Sequence, residues 1–168
     1  ERHRHIFVAD AGNAMCYADL ERAESLVVAY ISGDQGYIEA HEGDTHTYVA
    51  RMIFPDLPWT GDIKKDTTVA EASCPDWDNV PGHNWRFQAK RIQHGSNYGM
   101  TPFGVARTAK ITVNAARLMQ EAYFDAFPHV RAWQEWTNQR VCDQIALVNP
   151  LGRSCRLFGR PWNPKTKQ

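Results

Sequence analysis

The residues best suited to chemistry form a row at four-residue spacing: Arg86, Lys90, His94 and Tyr98. Residues four apart lie on one face of an α-helix, so the spacing predicts a ladder of two cations, an imidazole and an aromatic ring. Arg binds phosphate with a planar fork, and Lys binds it as a point charge. The row therefore predicts a helix that holds a triphosphate at its cationic end and stacks a sugar and base at the other.

Charge is distributed unevenly along the chain. The formal net charge is zero, with 19 basic and 19 acidic residues, so the total charge predicts no partner. Residues 79–120 contain no Asp or Glu, and their basic residues are Arg86, Lys90, Arg91, Arg107, Lys110 and Arg117. Most acidic residues precede this stretch, which separates a part able to hold metal from a part able to hold phosphate. Chance unevenness in a neutral protein is the alternative.

Cysteine spacing and hydropathy argue against several classes of protein. The four cysteines are widely spaced without a Cys-x-x-Cys pair, which argues against a zinc site and favours free thiols in the cytoplasm. No apolar run is long enough to span a membrane and no signal peptide is visible, so no membrane partner is expected. The sequence opens without Met and ends in a polar stretch, so we expect a fragment of a longer protein.

The elements before the ladder are two short strands and two helices. Residues 6–8 and 14–18 predict strands that end at Asp19, and residues 21–31 predict a helix. Its buried side is expected to comprise Leu26, Val27 and Tyr30. A second helix is expected to start at Asp44 or Thr45, with His46 in its first turn, where unpaired backbone N–H groups favour anions. Its inward residues are expected to be Tyr48, Val49, Met52 and Ile53.

Helices dominate the rest of the chain. Residues 55–84 are rich in Pro and Gly and predict a long loop, which the ladder helix follows over 85–98. Thr101 and Pro102 fit the start of a short helix. Residues 113–127 predict an amphipathic helix that Pro128 stops, with an apolar side of Leu118, Met119, Ala122 and Tyr123. A last helix over 129–144 and a hairpin around 149–152 complete the chain.

Four segments, in order, resemble motifs of family A DNA polymerases. Arg86-x-x-x-Lys90-x-x-x-His94-Gly95-x-x-Tyr98-Gly99 resembles motif B, the fingers helix that binds the incoming nucleotide. The segment from Ala18 to Glu24 resembles motif A, and Glu42-Gly-Asp44-Thr-His46 matches a short acidic-His segment. Gly152-Arg153 fits the Gly-Arg element after the fingers. The resemblance covers nearly the whole chain.

The resemblance implies an α+β fold, mostly helical, in which a fingers subdomain is attached to a partial antiparallel palm sheet. Residues 1–34 would be partial palm with motif A, and residues 35–145 would be the fingers and adjoining helices, including the motif B helix over 85–98. Residues 146–168 would begin the returning palm segment. Implied partners are the primer-template DNA, dNTPs and the rest of the polymerase chain, its thumb and remaining palm, in a bacterial cell or a phage-infected host cell.

The implied activity is transfer of a deoxynucleotide to a primer 3′-hydroxyl by two-metal phosphoryl transfer. Asp19 and Lys90 would be catalytic, and Asp19 with the backbone carbonyl of Leu20 would hold Mg²⁺, which prefers oxygen ligands. From the residues alone, capping the helix that follows is the favoured role of Asp19, and the neighbouring motif matches reverse that preference. Lys90, Arg86 and His46 would bind the triphosphate, although helical cations are commonly solvated surface.

The sugar and base would lie at the other end of the ladder. In the family, the residues matching Glu24 and Tyr98 meet under the sugar and leave no room for a 2′-hydroxyl, which selects deoxynucleotides by exclusion. His94 would pack on the sugar, and Gly95 would let a base lie against the backbone, a helix–helix contact being the alternative. Single-subunit RNA polymerases share part of this pattern but lack the residue matching Glu24.

DNA would contact Tyr98, Gly99, Arg153 and Arg107, with Lys110 a further candidate, and solvated surface is an equal alternative for the last two. The chain departs from the family at His94, where the family has Phe or Tyr, and at residues 20–23. It also lacks the His-Asp-Glu triplet of motif C, so we expect it to polymerise nothing alone. A non-catalytic nucleotide- or nucleic-acid-binding module and a single-subunit RNA polymerase relative are the alternatives.

Overall fold

The ladder helix lies at the centre of the structure, a computed structural model that describes residues 8–16, 18, 20, 22–72, 83–144 and 146–156. The helices are α1 (Ala23–Ser32), α2 (Gln35–Ala40), α3 (Thr45–Ile53), α4 (Ile63–Glu71), α5 (Trp85–Asn97), α6 (Pro102–Ala109), α7 (Val113–Ala126) and α8 (Pro128–Gln144). The strands β1 (Ala146–Val148) and β2 (Ser154–Arg156) follow them. Helix α5 packs against α1, α3, α4, α6 and α7. The helices packed on its other sides therefore support its exposed face. None of the helices described is long and apolar enough to cross a membrane.

Polar caps set the start of three successive helices. The side chains of Asn84, Thr101 and Thr112 each accept a hydrogen bond from a backbone N–H in the first turn of α5, α6 and α7. Helix α5 ends at Asn97, and Gly99, which follows the C-cap Tyr98, has a positive φ of 65° that lets the Met100 N–H reach the Gly95 carbonyl at 2.9 Å. The predicted ladder helix and the start at Thr101-Pro102 are confirmed.

The core lies between α2, α3, α5 and α7. Tyr37, Tyr123 and Phe127 pack together there, with ring centroids 4.4 to 6.0 Å apart. The inward positions of Val49 and Ile53 on α3 are confirmed, and Tyr48 and Met52 are half-buried. The buried Asp34 carboxylate accepts from Tyr37 N of α2 and from His129 N of α8, both at 3.0 Å, so one side chain joins two helix starts.

The predicted burial of α1 is wrong. Leu26, Val27 and Tyr30 are 36%, 53% and 63% exposed, whereas Ser25 and Ala29 are buried. Helices α2, α5 and α8 pack on the side of α1 that carries the small residues, because they allow a close approach. The large side chains of Leu26, Val27 and Tyr30 therefore face away from the neighbouring helices that the structure describes.

The N-terminal strand prediction is also wrong where it can be compared. Residues 14–16 are irregular, and residues 6, 7 and 17 lie outside the described residues. No described strand lies beside residues 14–16 to accept and donate backbone hydrogen bonds, since β1 pairs only with β2.

The predicted loop over 55–84 contains a helix. Helix α4 begins at Asp62, whose side chain accepts from Lys64 N and Lys65 N. The fully buried Asp66 carboxylate binds the preceding turn, accepting from Thr60 N at 2.7 Å and from Gly61 N at 3.2 Å. These side-chain bonds stabilise a helix in a segment whose Pro and Gly content favoured a loop, while residues 73–82 lie outside the described residues.

The C-terminal predictions are largely confirmed. Helix α7 buries Tyr123, but Leu118 is 52% exposed, since the face turned to α5 and α6 carries Ala116 and Gln120 instead. Pro128 both ends α7 and begins α8, as the fixed φ of Pro suits a first helical position. In the hairpin β1 and β2 pair antiparallel, with Leu147 opposite Cys155.

Candidate nucleotide-binding site

The ladder lies on the exposed face of α5, as its spacing predicts. Lys90, His94 and Tyr98 are exposed and Arg86 is half-buried, while Ala89, Ile92 and Gln93 between them are buried. A helix with one face anchored in the core holds the other face at fixed spacing. The two cations thus sit about one turn apart, toward the N-terminal end, and the two rings lie at the C-terminal end.

Glu24 from α1 meets the ring end of the ladder. Its carboxylate lies 3.5 Å from His94 Nδ1, and it forms a hydrogen bond with the Tyr98 hydroxyl. That hydrogen bond, with a contribution from burial and from the Glu24 charge, raises the pKa of Tyr98. The His94 and Tyr98 rings are 4.8 Å apart at 55°. Three residues singled out from two separate sequence motifs therefore form one cluster.

The α1–α3 connection positions this cluster. Arg22, which precedes α1 with a positive φ of 56°, donates a hydrogen bond to the Gly43 carbonyl just before α3. His41 Nδ1 lies 2.7 Å from the Tyr37 carbonyl, and its Nε2 lies 2.9 Å from Ser25 Oγ on α1. Helix α1 is therefore held by polar contacts at its first turn, where Glu24 lies.

At the cationic end, Arg86 forms a bidentate ion pair with Asp44. Arg86 Nε and Nη2 donate to the two Asp44 carboxylate oxygens at 2.6 and 2.7 Å. Burial raises the pKa of Asp44, but the hydrogen bonds from Arg86 and Thr47 and the Arg86 charge outweigh it and lower that pKa to about 2. Asp44 is therefore ionised at neutral pH. No sequence motif indicates this contact, because the two residues are 42 positions apart in the chain.

His46 is held by Gln93, a residue that the sequence motifs did not single out. His46 Nδ1 lies 2.7 Å from Gln93 Oε1, and Gln93 Nε2 donates to the Tyr37 hydroxyl at 2.7 Å. Burial, together with the charges of Arg86 and Lys90, lowers the pKa of His46 despite the opposing effects of Gln93 and Asp44. Gln93 belongs to the buried face of α5, so its role could be found only from the packing.

Gln93 is part of a buried polar network behind the ladder. Asn97 Nδ2 donates to the Tyr37 hydroxyl at 2.9 Å, and the Tyr123 hydroxyl donates to Asn97 Oδ1 at 2.7 Å. Buried hydrogen bonds of this kind fix the rotation of a helix, since a different rotation would leave polar groups without partners. The network therefore fixes which face of α5 is exposed.

Gly95 faces the neighbouring helix α6. A Cβ at this position would lie 2.9 Å from Val105 Cγ2 and 3.3 Å from Met100 Sδ. The alternative interpretation of this glycine, a helix–helix contact, therefore accounts for it. Its placement beside a base stays a prediction.

The predicted metal ligands do not form a site among the described residues. Asp19 lies outside them, and Leu20 is 80% exposed. No group of three or more His, Cys, Asp or Glu side chains that could hold a metal ion occurs in the described ranges. Metal binding by Asp19 and the Leu20 carbonyl therefore stays a prediction.

The residues predicted to contact DNA are exposed. Gly99 lies just after the C-cap of α5, and Arg107 lies on α6. Arg153 lies in the turn of the hairpin, where its N–H donates to Asn149 Oδ1 at 2.8 Å. Lys110, another candidate, follows α6 with a positive φ of 57°. They are accessible to a ligand, and their contact with DNA stays a prediction.

The described residues form a mostly helical domain whose central helix presents two cations at one end and a Glu–His–Tyr cluster at the other. The family model described as DNA polymerase family A matches residues 1–161. The chain belongs to DNA polymerase family A.

Curated relatives and a solved structure are similar to the chain. It is 34% identical over 139 residues to the thermostable DNA polymerase I of Thermus thermophilus, covering 82% of this chain and 14% of that protein. It is 31% identical over 134 residues to DNA polymerase I of Lactococcus lactis subsp. lactis, covering 79% of this chain and 13% of that protein. The POL domain of Pol1 from M. smegmatis, solved in complex with DNA primer-template and dNTP, matches with a TM-score of 0.62 and 25% identity, covering 89% of this chain and 23% of that one.

Proposed function

We propose that the chain is the nucleotide-binding part of a template-directed DNA polymerase that transfers deoxynucleotides from dNTPs to a primer 3′-hydroxyl. The observation that carries the proposal is the contact of Glu24 with both His94 and Tyr98, beside the cations of the same α5 face. Family membership supports the same activity. The chain spans about a seventh of the length of the curated relatives it matches, 14% and 15% for two of them, so the activity is proposed for a longer polymerase.

The cationic end of α5 is proposed to bind the triphosphate. Lys90 is exposed on this face, and Arg86 and the half-buried His46 lie at the same end. A triphosphate carries several negative charges, so one point charge, one planar fork and one imidazole suit it. Lys90 lies nearest the middle of the ladder and is proposed as the residue that stabilises the reacting phosphate.

The Glu24–His94–Tyr98 cluster is proposed to bind the sugar. With its carboxylate held against both rings, Glu24 closes the space in which a 2′-hydroxyl would lie. His94 is proposed to pack on the sugar and Gly95 to pass close to the base. This arrangement favours a deoxynucleotide over a ribonucleotide by exclusion, and it does not favour a single-subunit RNA polymerase relative.

The remaining partners are proposed from the family. The polymerase would take Mg²⁺, which neutralises charge during phosphoryl transfer. Asp19 and the Leu20 carbonyl are the residues of this chain proposed to hold it. Tyr98, Gly99, Arg107 and Arg153 are proposed to contact primer-template DNA. Residues 1–34 and 146–168 are proposed as palm and 35–145 as fingers, in a cytoplasmic enzyme of a bacterial or phage-infected cell.

A binding experiment on this chain tests the triphosphate site. Binding of dATP is measured by titration calorimetry for the wild type, for Lys90→Ala and for the control Lys65→Ala. Lys65 is an exposed lysine on helix α4, away from the ladder. We expect Lys90→Ala to weaken binding about tenfold, as for loss of one charge-assisted contact, and Lys65→Ala to leave it unchanged. Equal affinities for all three proteins would contradict the proposal.

Primer extension by the full-length polymerase tests the activity. The wild type is expected to extend a primed template in the presence of Mg²⁺, and Asp19→Ala is expected to abolish extension. Glu24→Ala is expected to raise ribonucleotide incorporation relative to deoxynucleotide incorporation. Extension by Asp19→Ala at the wild-type rate would refute the role given to that residue.

A further inference from the structure

Asp44 occupies a helix N-cap position but does not cap the helix. The N-cap side chains of α2, α4, α5, α6 and α7 each accept a backbone N–H, whereas Asp44, at the start of α3, accepts none. An Asp at this position ordinarily accepts the N–H of the second or third helical residue. The Asp44 carboxylate therefore contacts groups other than the backbone N–H groups of α3.

Its oxygens are directed at the side chains of Arg86 and Thr47. Arg86 donates to both oxygens at 2.6 and 2.7 Å, and Thr47 Oγ1 donates to Oδ2 at 2.5 Å. Thr47 is fully buried, so it fixes the carboxylate from the core side. The ion pair joins the first turn of α3 to the first turn of α5.

The Arg86 guanidinium binds Asp44 along the edge that carries Nε and Nη2. A carboxylate that accepts two parallel hydrogen bonds from a planar guanidinium fixes the orientation of the whole group. Arg86 is also held at the ladder face, where its side chain is 32% exposed.

We propose that Asp44 is a positioning residue that orients Arg86 toward the triphosphate of the incoming nucleotide. The inference rests on the proposed triphosphate site. An arginine that samples many rotamers loses side-chain entropy when it binds a phosphate. The ion pair with Asp44 already restricts the Arg86 rotamer, so less entropy is lost when the triphosphate binds. The competing effect, partial neutralisation of the Arg86 charge by Asp44, would weaken phosphate binding. The bidentate geometry favours orientation as the larger effect.

The test compares Asp44→Asn with Glu42→Gln in the 168-residue chain. Asn is as good an N-cap residue as Asp, so helix α3 retains its start. Glu42 is exposed two positions earlier, and its replacement removes the same charge without touching Arg86. Affinity for inorganic tripolyphosphate is measured by calorimetry for the wild type, both variants, Arg86→Lys and the Asp44→Asn/Arg86→Lys double variant. Thermal melts check folding.

The expected result is a loss of about fivefold in tripolyphosphate affinity for Asp44→Asn, the cost of reordering one long side chain. Glu42→Gln should bind as tightly as the wild type or slightly more tightly. The double variant should bind no more weakly than Arg86→Lys, because Asp44 acts only through Arg86. The ¹⁵N-bound Nε proton of Arg86 should be resolved in the wild type and Glu42→Gln, and averaged by exchange in Asp44→Asn.

The outcomes separate the two proposals. If Arg86→Lys weakens binding but Asp44→Asn matches or exceeds the affinity of Glu42→Gln, the positioning role is overturned and the triphosphate site stands. If tripolyphosphate binds no variant differently from the wild type, or does not bind at all, the triphosphate site itself is overturned and the positioning role falls with it.

Discussion

His94 places an imidazole ring at the C-terminal end of the ladder, which we propose binds the sugar and where the motif that it resembles has Phe or Tyr. Its Nδ1 lies 3.5 Å from Glu24, a contact that a Phe ring cannot make. Its ring lies 4.8 Å from Tyr98, as an aromatic residue at this position would. The residue therefore combines ring packing against Tyr98 with a polar contact to Glu24.

Replacing His94 by Phe in the full-length polymerase should change discrimination between deoxy- and dideoxynucleotides. Loss of one polar contact at this end of the ladder, taken as about 1 kcal/mol, corresponds to about fivefold in the ratio of kcat/KM values. Single-nucleotide incorporation with each substrate measures it. His129→Phe, on an exposed His at the start of α8, is the control. An unchanged ratio in His94→Phe would refute a sugar-sensing role.

Nucleotide binding by this chain should become tighter as pH falls. Gln93 Nε2 donates to Tyr37, so Gln93 Oε1 accepts from His46 Nδ1, and a neutral His46 then has no proton on Nε2. A phosphate contact at Nε2 thus requires the charged ring. Burial and the charges of Arg86 and Lys90 lower the pKa of His46 below its usual value of about 6.5. The hydrogen bond with Gln93 and the charge of Asp44 oppose this shift but do not cancel it. The ring is therefore neutral at pH 7 in the free chain.

The affinity for dATP is measured between pH 5.5 and 8, a range of roughly one unit or more on either side of an ordinary His pKa. Proton uptake on binding is obtained from calorimetry in buffers of different ionisation enthalpy. His46→Ala corrects for titration of the triphosphate itself. The pH dependence of folding stability has the opposite sign to that of nucleotide binding. Because folding lowers the pKa of His46, its contribution to the free energy of unfolding is present above the pKa of the unfolded state and is lost as pH falls through the pKa of the folded state. Identical pH profiles for wild type and His46→Ala would rule out the proton-linked contact.

At the scale of elements, the close contact of α5 with α6 depends on Gly95. Its Cβ would lie 2.9 Å from Cγ2 of Val105, a stiff and fully buried side chain. Gly104 of α6 offers the contrast, since a Cβ there would have its nearest neighbours at 3.7 Å. The two helices can therefore approach only where the larger side chain faces a glycine.

Gly95→Ala should lower the free energy of unfolding by about 1–3 kcal/mol through overpacking. Gly104→Ala should be neutral or stabilising by up to about 1 kcal/mol, because Ala favours the helix. Urea unfolding of both variants measures the difference. In a Val105→Ala background the cost of Gly95→Ala should largely disappear. A cost that persists in that background would show that the Val105 contact is not its cause.

The starts of several helices could be predicted from nearby residues in the sequence, whereas the buried faces of the helices could not. The caps Asn84, Thr101 and Thr112 are readable in sequence, and helices begin after each. The exposed apolar face of α1 and the helix α4 were mispredicted. Apolar residues indicate burial only when another element covers them, and Asp66 stabilises α4 through contacts with a turn that propensity does not include.

At the scale of the whole molecule, acidic and basic parts that are separate in sequence meet in space. Glu24 contacts His94, and Asp44 contacts Arg86, so the acidic α1 and α3 starts lie along the basic α5. The chain carries no net charge. Any affinity for nucleic acid must therefore come from local groups of cations that have no acidic partner, not from overall attraction.

Removing Arg107 and Arg153 together should weaken the salt dependence of DNA binding by the full-length polymerase. Each phosphate contact contributes about 0.9 to the slope of log K against log salt, so the slope should fall by about 2. Arg117→Ala is the control, as Arg117 is paired with Glu121 at 2.9 Å. Binding of a primer-template is measured over a range of salt concentrations. A slope equal to that of the control would place both residues on solvated surface.

The sequence by itself determined the register of α5, its caps and the motifs that mark the family, because these depend on spacing within a few residues. Only the tertiary structure decided what each ladder residue touches: Asp44 for Arg86, Gln93 for His46, and Glu24 for His94 and Tyr98. These partners come from other helices or from the buried side of α5. Their positions depend on how the helices pack, which spacing along the chain does not encode.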